Sequence, residues 1–157
     1  MFDRKKNKIF MSKLGDLVAN AHERYITLEN AKILKELGFN WNCRFIWHET
    51  GQQLLGLKLP SNYDSFKQEY EPFDVVVLMP TQSVALKWLR EVYDCCIWVE
   101  PTLTGYYDCY LGQKDWWDTR YYVDRFEDYE KAVEAGIEKA LKRFILPNKE
   151  KEEKEKQ

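Results

Sequence analysis

Four cysteines and two histidines are the side chains best suited to hold a metal ion or to supply a nucleophile. Their spacing serves neither purpose. No Cys-x-x-Cys pair occurs, and Cys95 and Cys96 are neighbours on an expected strand, so their side chains leave opposite faces. Cys43 and His48 stand an odd number of residues apart and diverge in the same way. Cys96 and Cys109 lie near facing positions across a turn marked by Pro101 and Gly105, the one pairing a hairpin would bring about. The expectation is small buried thiols in a reducing compartment, with no metal and no cofactor.

Other catalytic patterns stop short. His48-Glu49 is half of the His-Glu-x-x-His arrangement of zinc peptidases, but the position of the second histidine holds Gln52. His22 falls late in an expected first helix, where positive charge suits the helix end. Gly51 and Gly56 lack the spacing of a phosphate loop, and no Lys-Ser/Thr follows them. Asp94 and Glu100 could serve a nuclease strand, yet Pro101 and Thr102 stand where a Glu-x-Lys element needs its lysine.

Aromatic density is the distinctive feature. Twelve of the 24 aromatic residues fall between Trp88 and Tyr129, interleaved with Asp108, Asp115, Asp118 and Asp124. Period-two alternation along the last strand puts Trp117, Thr119, Tyr121 and Val123 on one face and Trp116, Asp118, Arg120, Tyr122 and Asp124 on the other. The first set is less polar and should face the helices. The second leaves rings and charges together on an open face, the composition of interface cores and of surfaces that stack on sugars or bases.

The elements that position these residues follow from periodicity. Ser12 caps a first helix with Leu14, Leu17, Val18 and Ala21 inward; Thr27 caps a second, with Leu28, Ala31, Leu34 and Leu37 on one face and Gly38 as its left-handed stop. Strands are predicted at 43–48 and 52–59, joined by a hairpin through Glu49-Thr50-Gly51, and a central strand at 73–79. Residues 60–72 read as a long polar loop. A helix capped by Thr81 runs through Tyr93. Strands at 95–100, 104–111 and 116–123 form a meander, and Asp128 caps a last helix reaching Phe144. The order α-α-β-β-β-α-β-β-β-α predicts an α+β domain: a mostly antiparallel sheet of five to six strands with helices packed on one face.

Charge narrows the partners. The chain has 157 residues and a net charge of −2, and the body from Ile9 to Leu146 carries 16 basic against 21 acidic residues. That sign argues against a nucleic-acid surface, leaving only weak association through Arg4 to Lys8. The longest apolar run, Val75 to Met79, has five residues, far below the ~20 of a membrane helix. No apolar segment follows the N-terminal bases, so a signal peptide is not expected. One domain at 12–146 is predicted between a flexible basic arm at 1–11 and a disordered charged tail at 147–157, where Pro147 and Asn148 argue for a helix stop.

Three stretches carry a resemblance: Thr27-Leu28-Glu29 through Leu37-Gly38-Phe39, Pro80-Thr81-Gln82 through Trp88-Leu89-Arg90-Glu91, and Tyr129-Glu130-Lys131-Ala132 through Ala140-Leu141. Together they resemble small uncharacterised phage and prophage proteins of gut bacteria, over about residues 27–144. The resemblance implies a viral or prophage origin and a cytoplasmic location, and supplies no catalytic residues. The expected function is that of an accessory protein that binds a protein partner, or its own copy, through the face bearing Trp116, Asp118, Arg120, Tyr122 and Asp124. The alternative is a small enzyme or a ligand- or glycan-binding domain on the same face, using Asp118, Asp124 and His48.

Overall fold

The structure is a computed structural model that describes residues 24–48, 53–65, 76–113 and 120–156. The basic arm, the helix expected after Ser12, His22, and the 49–51 turn lie outside the described residues. The remaining order agrees with the α+β expectation: α1 (Leu28–Glu36), β1 (Cys43–His48), β2 (Gln53–Ser61), β3 (Val76–Met79), α2 (Gln82–Tyr93), β4 (Cys95–Pro101), β5 (Tyr107–Gln113), β6 (Tyr121–Phe126) and α3 (Tyr129–Lys139). A π-helical segment, Ala140–Ile145, and α4 (Leu146–Glu155) complete it.

One expectation is corrected. Instead of a single sheet there are two antiparallel ones, ordered β2-β1-β3 and β4-β5-β6 among the described residues. They fall in two compact units, Met1–Pro80 and Thr81–Gln157. Among the described residues every strand pairing is antiparallel, β3 with β1 and β4 with β5 included. Strand β3, expected to be central, ends the described order of its sheet.

The first unit shows how such a strand stays buried. All four residues of β3 are buried, and two of its backbone groups are taken by side chains. The Leu78 N–H donates to the Tyr63 hydroxyl at 2.9 Å, and Lys35 Nζ donates to the Val76 carbonyl at 2.9 Å. Lys35 also stands 5.3 Å from the Tyr63 ring centre. Residues 60–72 do not all behave as an open loop, since Ser61 ends β2 and Tyr63, Asp64 and Ser65 are helical, with the Tyr63 phenol reaching β3. Helix α1 packs on β3 through its inward side, with Ala31 and Leu34 buried. Thr27 accepts the Asn30 N–H at its start. At its end Gly38, at φ +90°, sends its N–H to Lys35 while Phe39 bonds Leu34, the paired closure of a glycine-stopped helix.

In the second unit α3 lies on the sheet. Asp128 caps it by accepting the Lys131 N–H at 3.0 Å. Its stripe of Ala132, Val133, Gly136 and Ile137 is buried as the spacing predicts. A Cβ at Gly136 would stand 2.6 Å from Ile97 Cγ2 and 2.8 Å from Cys109 Sγ, so the missing side chain permits the close approach. Buried Gln82, in the first turn of α2, donates to the Glu130 carbonyl at 2.9 Å and to the Glu134 carboxylate at 3.1 Å, fastening α2 to α3.

The stop expected at Pro147 does not occur; the helix runs on to Glu155. The turn before the proline is π-helical, with the Leu146 N–H bonded five residues back to Leu141. That wider turn makes room where a proline ring crowds the carbonyl four residues earlier, and Pro147 has no N–H to leave unpaired.

Two substitutions test these contacts. Tyr63→Phe should cost about 1–3 kcal/mol in urea unfolding, because it strips the Leu78 N–H of its acceptor. Gly136→Ala should destabilise by about 1–3 kcal/mol through overpacking against Ile97 and Cys109, although alanine is the better helix former.

Candidate functional site

Helix contacts decide which side of the β4–β5–β6 sheet is open. Ile97 and Cys109 lie under Gly136, so alternation sends Trp98, Glu100, Asp108 and Tyr110 to the opposite face. Register then lines them up. Glu100 stands opposite Asp108, and Trp98 opposite Tyr110, across β4 and β5. Tyr110 and Asp108 stand opposite Tyr122 and Arg125 across β5 and β6.

A bulge shapes the last strand. Cys109 pairs with Asp124 but Tyr110 pairs with Tyr122, so Val123 is the extra residue on β6. Simple alternation fails there: Tyr122 and Arg125, an odd number apart, both reach the open face. Asp124 falls outside that row. It is exposed, and its carboxylate accepts the Arg125 backbone N–H at 2.8 Å.

The side chains of the face hold one another. Arg120 forms an ion pair with Glu100 and lies over the Tyr110 ring, 4.6 Å from its centre. Tyr110 and Tyr122 meet edge to face at 5.5 Å. Arg125 grips Asp108 with two donors, at 2.7 and 2.8 Å. The Tyr122 hydroxyl reaches the same carboxylate at 3.5 Å. Each of these two carboxylates is matched by an arginine. Tyr122 nevertheless remains 47% exposed.

Of the five residues expected on this face, Arg120 and Tyr122 are brought together. Asp124 pairs with Cys109 instead, and Trp116 and Asp118 lie outside the described residues. Glu100, Asp108, Tyr110 and Arg125 join the face without having been expected on it. Alternation along β5 identifies Asp108 and Tyr110, since both flank the apolar Cys109 and Leu111. Arg125 becomes legible only once the bulge is known.

At the same end of the sheet the β4–β5 turn presents Leu103, fully exposed. This turn is firmly braced. The Thr102 N–H donates to the Tyr106 carbonyl at 2.7 Å, the Tyr106 N–H returns to the Thr102 hydroxyl at 3.0 Å, and Gly105 takes φ +83°. The strand predicted at 104–111 starts later than expected: Thr104 lies inside this turn, and β5 begins at Tyr107.

Hydrogen bonding from Arg125 is the leading influence on Asp108 and holds its carboxyl below the usual range. Burial pushes Cys43 and Cys109 to about 12 and Cys95 to about 11, so these thiols are protonated at neutral pH. Cys96 and Cys109 do not face each other, because Cys96 stands opposite Gly112 and Cys109 opposite Val99. His48 ends β1, opposite Gln53 and Val76. Among the described residues no three metal-ligating side chains come together, and no helix is long and apolar enough to cross a membrane.

Comparison with known proteins adds no relatives: no family model matches the chain, and no curated protein or solved structure is significantly similar to it.

The Asp108–Arg125 contact has a pH signature. A carboxyl held below its unfolded value of about 3.9 contributes stability above that pH and loses it as pH falls through the folded value. Arg125→Gln should move the Asp108 titration, read from its side-chain carboxyl carbon by NMR, back toward the ordinary value. The wild-type contribution should shrink at high salt, because the pair is exposed.

Proposed function

We propose that this chain is a protein-binding module that docks its partner on the open face of the β4–β5–β6 sheet. The observation that carries this reading is the Tyr110–Tyr122 pair on the side away from α3, backed by Arg120, with Tyr110 half-buried and Tyr122 exposed. Aromatic and arginine side chains of this kind dominate measured interface energies. Here the neighbouring carboxylates already fix both arginines, so little rotamer freedom is left to lose on association. The turn's braced backbone also presents the fully exposed Leu103, which adds apolar contact area. A protein partner suits a flat face better than a small substrate does, since small substrates bind in concave sites. The resemblance of the three helical stretches to phage and prophage proteins supports an accessory role in such a setting, in the cytoplasm of the host.

A photo-crosslinking amino acid at position 122 tests the proposal in cells. The expected result is a discrete protein adduct that is absent when the same group stands at exposed position 150 on α4. An adduct of twice the chain's mass identifies the partner as a second copy. Tyr110→Ala or Arg120→Glu, introduced beside the crosslinker, should weaken capture by on the order of 2 kcal/mol, about 30-fold. Equal labelling from positions 122 and 150, or none from 122, overturns the reading.

A further inference from the structure

The helix-covered side of the same sheet holds a separate feature, a cavity of about 530 Å³. It opens where the ends of β4 and β5 meet the π segment and the start of α4. Cys95, Leu111 and Ile145 form its floor, and the rings of Tyr93, Tyr121 and Phe144 frame it. Tyr121 and Phe144 meet edge to face at 5.5 Å. Arg143 donates to the Tyr121 hydroxyl at 3.4 Å, with its guanidinium 6.0 Å from the ring centre, so the ring is held from outside the cavity.

The space stays open for a reason visible in the sequence. Ile145, Asn148, Lys149 and Glu152 recur at helical spacing and face the cavity. Beyond Pro147 the chain has no apolar residue, from Asn148 to the end. Helix α4 therefore overhangs an apolar floor without an apolar side chain of its own beyond Pro147 to fill it. The π segment ends directly before α4 and contributes Phe144 and Ile145 to the wall. Such wide turns recur at functional sites.

We propose that this cavity binds a small, uncharged, planar molecule of two or three fused rings with one hydrogen-bonding edge. The volume lies within the range of small-molecule sites. Three aromatic side chains suit a flat π system. The polar rim sets the remaining chemistry: Asn148 and Gln113 offer amides, while Lys149 and Glu152 place both signs of charge at the mouth and select neither. Cys95, protonated at neutral pH, adds no charge to the floor.

The experiment titrates the full chain with 2-naphthol, following probe fluorescence and the backbone amide shifts of Leu111, Gly112 and Ile145. Saturable binding with shifts centred on those residues is expected, together with weaker binding of the anionic 2-naphthoate. Asn148→Trp, at an exposed position on the mouth, should reduce 2-naphthol affinity roughly tenfold by occupying the entrance, a loss near 1.4 kcal/mol. Glu150→Trp, elsewhere on α4, should leave it unchanged. The proposal is overturned by an absence of saturable shifts up to the probe's solubility, by tighter binding of 2-naphthoate, or by equal affinity in the two tryptophan variants. The wild-type shift map decides the matter even if Asn148→Trp folds poorly.

Discussion

The seating of α3 on the β4–β5–β6 sheet governs what the second unit can display. Gly136 has no side chain, and a Cβ there would run into Ile97 and Cys109, so the helix sits closer to the sheet than a side chain at that position would allow. This contact assigns one side of every strand to the interior. What is left on the other side follows from a period of two: a row from Glu100 and Trp98 through Asp108 and Tyr110 to Tyr122 and Arg125. The aromatic-ionic face is therefore a consequence of helix placement, and its composition records residues that the core did not need.

Within that face the bulge at Val123 matters as much as the pleat. Without it, Arg125 would point with Cys109 toward the helix side and Asp124 toward Tyr110. Asp108 would then meet another carboxylate across the strand pair, and like charges placed opposite each other are destabilising. The extra residue exchanges that repulsion for a two-donor arginine contact. A single insertion in register thus converts a run of acids into a set of matched pairs, and the rings between them remain the groups with unspent contact area.

Much of this was legible in the chain. Thr27, Thr81 and Asp128 announce helices through side-chain caps that the structure contains, and Gly38 announces a stop. Strand β1 and the start of β4 follow from β-branched and aromatic runs. The rest depends on information that local pattern does not hold. Whether β3 joins β4 is a question of long-range pairing, and four buried residues read equally as a central strand or as an edge capped by Tyr63 and Lys35. Register shifts such as the one at Val123 leave no compositional mark, because Tyr-Tyr-Val-Asp-Arg alternates no more clearly with the bulge than without it. Part of the expected site, Trp116 and Asp118, lies outside the described residues, so only Arg120, Tyr122 and Asp124 meet the geometry.

Pro147 shows how a local rule can be right about a residue and misleading about the chain. Proline ends helices because its ring crowds the carbonyl four residues back and its nitrogen cannot donate. Both objections depend on α-helical spacing. In the π segment the ladder has already shifted to bonds five residues back, as from Leu146 to Leu141, and the widened turn admits the ring. The helix then continues into a stretch of lysines and glutamates that cannot repay extension by burying apolar surface. The π segment before it packs, since Ile145 is buried, and the first turn of α4 is half-buried at Leu146, Pro147 and Lys149. Beyond them the polar side chains overhang rather than fill, and the space under α4 is the geometric result of an apolar sheet end meeting a helix that has run out of apolar residues.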